Sequence, residues 1–279
     1  PDSASTLRLE ARVAECRGER ERAVDALLDA LEREPGSAFG YTQVLELSDG
    51  IPAQARRGVL TRLEGLLLHS ADAVRCVREV ALKVAERFGV EEAGALVQRL
   101  TERAPGHPEL VRTRADLLLH FGRGRSDAAR AAALLEPAVR RDPERTGLAF
   151  SLAHAYSTLL RHEDERRLLE GLLARQPLNA GARHVLARAV ARQGELDTAL
   201  ALLEEGTRLD PLAPDAWEAR GRMLWELGRN GEASEVLEEG VERIDDHVGL
   251  RQLLIEVMLG SGLHDRALET AHRGVELLP

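Results

Sequence analysis

The chain has 279 residues, of which 44% are apolar, 30% charged and only 3% aromatic, and Lys+Arg 38 against Asp+Glu 47 leaves a formal net charge of -9. Four Phe, two Tyr and two Trp cannot fill two compact α/β domains, the prior for this length, so the core must come from Leu, Val and Ala, as in packed helices. The acidic balance argues against nucleic acid as a partner, and no run of eighteen apolar residues exists to insert into a membrane.

Cys16 and Cys76 show neither a disulfide framework nor metal-ligand spacing and are read as small apolar residues. Lys83 is the single lysine among the basic residues, a bias attributed to a GC-rich coding sequence. The chain starts at Pro1 without Met or a signal pattern and is expected to be a piece of a longer one. The compartment stays open, the cytoplasm being the favoured reading.

Four rulers share one period. Pro143, Pro177 and Pro211 are 34 residues apart, as are Gly194, Gly228 and Gly262, then Ala199, Ala233 and Ala267, then Gly206, Gly240 and Gly274. Such periods mark stacked supersecondary units. In chain order the units are 4–37, with Ala11, Gly18, Ala23, Ala30 and Pro35; 38–73, where Ser48-Asp49-Gly50 turns early and Ile51-Pro52 opens the second helix; and 74–107, with Phe88-Gly89 at the turn. Next come 108–145, with four extra residues before Ala131, read as an extended turn; 146–179, with Leu160 where glycine is usual and Glu165 where alanine is usual; and 180–213, complete from Ala187 to Pro211. The last two are 214–247, with Asp245 in place of proline, and 248–279, closing on Pro279. Each unit predicts a helical hairpin whose apolar face must be covered by its neighbours.

This pattern resembles the tetratricopeptide repeat family over nearly the whole chain. Small residues at positions 8, 20 and 27, glycine at 15 and proline at 32 carry the resemblance. It implies an all-α fold: a right-handed superhelical solenoid of about eight antiparallel helix-turn-helix repeats, a single array over 1–279. It also implies a concave groove lined by positions 2, 5, 9, 12 and 13 of each first helix. By that register Arg75, Arg78, Arg112, His120, His154, His184, Arg188, Arg192, Arg222 and Trp225 face a partner. Glu86, Glu109 and Asp116 accompany the middle arginines, and Asp215, Glu218, Glu226 and Glu256 make the C-terminal part acidic. Trp217 is read as packing, Trp225 as groove or rim. Three histidines could form a metal or pH-sensing cluster, but ordinary polar groove residues are the preferred reading. The Lys/Asn/Arg clamp by which some relatives grip chaperone tails is missing: neither Asn179 nor Asn230 falls on a groove position.

No catalytic signature survives inspection. His162-Glu163-Asp164-Glu165-Arg166 lacks the second histidine of a zinc helix, and Phe121-Gly122-Arg123-Gly124-Arg125-Ser126 lacks the order of a phosphate loop. The expectation is a non-catalytic scaffold without cofactor or metal that binds an extended or helical segment of a partner protein. Its rivals are the recruiting region of a larger enzyme or secretion or polysaccharide-export machine, and a homo-oligomer formed through an uncapped end at Leu277-Leu278-Pro279.

Overall fold

Serine hydroxyls start several helices. Ser3, Ser37 and Ser70 accept hydrogen bonds from the backbone N–H groups of Thr6, Gly40 and Ala73, satisfying donors that a helix leaves open at its start. His107 and His247 serve the same purpose through Nδ1, so these two histidines belong to the helix ends. The computed structural model describes residues 3–244 and 247–276, which form seventeen helices and no strand. Asp245 and Leu277-Leu278-Pro279 lie outside the described residues.

The chain forms two units, Pro1–Asp142 and Pro143–Pro279. In the first, α1 (Ala4–Cys16) pairs with α2 (Arg20–Arg33), and α3 (Ala38–Ser48) is followed by α4 (Ala53–Leu67). A short α5 (Ala71–Arg75) precedes α6 (Val77–Phe88), which pairs with α7 (Val90–Arg103), and α8 (Pro108–Phe121) pairs with α9 (Arg125–Arg141). In the second, the pairs are α10 (Thr146–Thr158) with α11 (His162–Arg175), α12 (Ala180–Arg192) with α13 (Leu196–Leu209), α14 (Pro214–Glu226) with α15 (Asn230–Arg243), and α16 (Val248–Gly260) with α17 (His264–Glu276). These consecutive pairs are the expected all-α repeat pattern.

The tight turn inside several pairs needs a left-handed residue. Gly18, Gly194, Gly228 and Gly262 take it with φ between 74° and 87°, and in the fifth pair Leu160 is forced to φ 60°, the one non-glycine with positive φ among the described residues. The helices of a pair cross on small side chains: Ala11, Ala81, Ala115, Ala153 and Ala187 on the first helices and Ala23, Ala93, Ala131, Ala199, Ala233 and Ala267 on the second are all buried. In unit 1 the buried cluster runs from Ala11 through Tyr41 and Val80 to Leu117. In unit 2, Leu169, Leu186, Val190 and Leu203 form one cluster, and Trp217, Leu237, Leu254 and Val257 another. Cys76 is buried as expected, whereas Cys16 is exposed.

The four extra residues of the fourth pair do not extend its turn. The α8–α9 connection is only Gly122, Arg123 and Gly124, and α9 has 17 residues against 14 in α7, α11, α13 and α15. Asp127 accepts the backbone N–H of Arg123 at 2.8 Å, which holds its carboxyl below the usual range, and the alanine-rich run that follows has the strongest helix propensity. The insertion therefore winds into helix.

A repeated tie links successive pairs. Trp217 Nε1 donates to the carbonyl of Pro211 at 2.9 Å, and Arg183, at the same register one repeat earlier, donates from Nη2 to the carbonyl of Pro177 at 2.6 Å. Each acceptor lies six residues back, just after a helix end, where no intrahelical donor is available. Both side chains then cover a glycine of their own second helix: a Cβ on Gly240 would fall 2.9 Å from Trp217 Cγ, and one on Gly206 2.9 Å from Arg183 Cδ. Trp217 is thus a packing residue, as its register implied.

Candidate binding groove

In unit 2, α10 packs on α12, α12 on α14 and α14 on α16, so the first helices form one continuous face. The second helices α11, α13 and α15 each pack against the following first helix, fixing that face from behind. These helices start 34 residues apart, so the expected groove positions 2, 5, 9, 12 and 13 recur along them at that spacing. Phe150 of α10 is half-buried against α12, where a Cβ on Gly181 would come 3.2 Å from its ring. Trp225 of α14 is half-buried beside α16, and a Cβ on Gly260 would lie 3.7 Å from its Nε1. One side of Trp225 rests on the core cluster, and the other is accessible.

The expected groove arginines divide by what answers them. Arg78 on α6 and Arg112 on α8 converge on Asp116: Arg78 Nε is hydrogen-bonded to it and Arg112 Nε lies 3.7 Å away. Asp116 is only 2% exposed under this cover, and Glu109 lies a further 3.7 Å from Arg112. His120 donates from Nδ1 to the Asp116 carbonyl at 2.8 Å, so these groups form one local network. Arg75 is exposed and lies 3.4 Å from Asp72. Arg192 is drawn to Glu165, donating from Nη2 to Oε1 at 2.6 Å. Glu165 occupies the alanine row at 1% exposure, and its second oxygen has no hydrogen bond, with His162 Nδ1 at 4.0 Å. His154 is exposed on α10, where its carbonyl accepts the Thr158 hydroxyl at 2.9 Å.

His184, Arg188 and Arg222 remain. Arg188 follows His184 by one helical turn on α12, and Arg222 stands at the matching position of α14. Burial first, then Arg188 and Arg222, push the His184 imidazole below its ordinary range, with Glu226 opposing. Further along the face Glu218 stands 3.8 Å from His247. Among the described residues no group of three or more His, Cys, Asp or Glu is arranged for a metal ion. No described helix is long and apolar enough to cross a membrane.

Unit 1 holds a cleft of about 870 Å³ between α1 and α3 that the sequence reading did not name. Arg8, Leu9, Arg12, Phe39, Gln43 and Glu46 line it, with Leu9 64% and Phe39 68% exposed. Phe39 is position 2 of the second repeat, so the register itself was the available signal. That repeat was the weakest in pattern, and the groove assignment began only at the third.

The sequence model of the tetratricopeptide repeat family matches residues 150–205 and 184–247, the stretch that supplies Phe150, His184, Arg188, Arg222 and Trp225. Residues 150–247 carry tetratricopeptide repeats. Such repeats are in general protein-interaction scaffolds. Among solved structures, a tetratricopeptide repeat protein from Parabacteroides merdae ATCC 43184 is similar over 91% of this chain and 98% of its own, at 15% identity and a TM-score of 0.50. TTC0263, a thermophilic tetratricopeptide repeat protein in Thermus thermophilus, is similar over 66% of this chain and 98% of its own, at 21% identity and a TM-score of 0.49. The first of these likenesses is one of fold. No curated protein matches the sequence.

Proposed function

We propose that the chain is a non-catalytic scaffold whose tetratricopeptide face in unit 2 binds an extended or helical segment of a partner protein. The observation that carries this reading is the pair of half-buried rings, Phe150 and Trp225, on the face made by α10, α12, α14 and α16. Rings fixed on one side and open on the other are efficient anchors, because they offer large contact area at small entropy cost. Charged and polar residues of both signs surround them, which suits recognition of one segment in one register. The test is affinity capture from the native lysate with the wild-type chain and with Phe150→Ala and Trp225→Ala combined. A captured protein lost by the variant, with its helical circular dichroism unchanged, supports the reading. Identical captured sets from both chains overturn it.

A further inference from the structure

Several arginines of this chain already have an acid on a neighbouring element. Arg62 donates to Asp29 and Glu32 at 2.8 Å each, Arg99 to Glu64 at 2.7 Å, Arg166 to Glu195 at 2.8 Å and Arg192 to Glu165 at 2.6 Å. Arg188 and Arg222 differ: neither has a hydrogen bond or ion pair with a described residue. Yet they occupy the same register of two helices packed side by side, with His184 one turn from Arg188. Glu226 acts on His184 but forms no ion pair with either arginine, so the two like charges on adjacent helices are only partly offset, and the planar fork of a guanidinium matches a further carboxylate.

We propose that His184, Arg188 and Arg222 form a seat for a single Asp or Glu side chain of the bound partner segment. This rests on the groove reading above and specifies its chemistry. Trp225, three residues after Arg222, is placed to take an apolar neighbour of that acid, with Gly260 leaving room beside the ring. The rest of the face narrows the choice. Asp215, Glu218, Glu226 and Glu256 share it and repel a second acid, so the segment carries one carboxylate among neutral or basic residues and is not a polyacidic run. The seat also differs from the clamp ruled out by the asparagine positions, because it uses two arginines of equal register.

The test uses the intact chain and two synthetic nonapeptides, Gly-Ser-Leu-Ser-Glu-Leu-Ser-Lys-Gly and the same peptide with Gln for Glu. Peptide is titrated into isotope-labelled protein while the His184 ring and arginine Nε–Hε resonances are followed. The expected result is saturable shifts at His184, Arg188 and Arg222 with the Glu peptide, binding at least tenfold weaker with the Gln peptide, and a similar loss for Arg188→Gln combined with Arg222→Gln. Equal binding of both peptides, shifts confined to other residues or no shift at all would overturn the seat. The lysate capture keeps the two readings apart. A partner lost on changing Phe150 and Trp225 but retained at full yield by the double arginine variant leaves the groove standing and removes the seat.

Discussion

Leu160 sits in the left-handed turn that glycine fills in neighbouring repeats, and its side chain is 57% exposed, so little burial offsets the strain. An L-residue in that region costs roughly 1–2 kcal/mol. Leu160→Gly is therefore expected to raise unfolding free energy by about 1 kcal/mol in urea titration, the flexibility of glycine in the unfolded chain cancelling part of the gain. Glu165 and Arg192 are asymmetric partners. Arg192→Ala leaves a buried carboxylate without its cation and is expected to cost about 3 kcal/mol. Glu165→Ala restores the residue found elsewhere in that row while the half-open Arg192 turns to water, so the loss should stay below about 1 kcal/mol. A larger loss for Glu165→Ala than for Arg192→Ala would refute this account. His184 supplies a pH dependence. Its folded-state proton affinity is lowered by burial and by the two arginines, so the unfolded chain protonates first as pH drops below about 6.5. Stability from this group is intact above that pH and declines until the lower folded value is passed. Urea titrations at pH 7.5 and 5.0 should show a smaller acid loss in His184→Gln than in the wild type.

At the scale of helices, the pattern of hairpins was legible because turn glycines, crossing alanines and closing prolines each answer to a local steric demand. The fate of the insertion was not, since a Gly-rich stretch reads as loop until one notices that Asp127 and the alanines after it favour another turn of α9. The register of the expected groove positions can be written from the sequence alone, whereas which of their charges are paired cannot. Arg78, Arg112 and Asp116 were all placed on groove positions, but that Asp116, 38 residues from Arg78, lies between the two arginines and pairs with them depends on how neighbouring repeats superpose. Glu165 was marked as an exception to the alanine row, without the arginine that justifies it. The helix crossings give a packing prediction. Gly240→Ala drives a methyl into the buried ring of Trp217 and should cost about 1–3 kcal/mol. Gly65→Ala, exposed within α4 with nothing near its Cβ, should stabilise by about 0.5–1 kcal/mol. Thermal melts of the two variants should move in opposite directions.

For the molecule as a whole, each unit brings its own buried clusters and its own stacked pairs. Repeat arrays draw stability from nearest-neighbour contacts, so a unit with several pairs can fold without distant ones. Residues 143–279 produced alone should show a helical spectrum and a cooperative urea transition; a non-cooperative, sloping loss of ellipticity would count against this. The ties from Arg183 to Pro177 and from Trp217 to Pro211 bear on how such a chain can change in length. Six residues separate donor and acceptor in both cases, so one residue gained or lost there breaks the tie, whereas a whole helical turn added to a second helix leaves it untouched. Insertions are thereby channelled away from the joints between repeats, and in a collection of random insertions of one to four residues every length should be purged between the closing proline and the fourth residue of the next repeat, while insertions of about one helical turn survive in second helices.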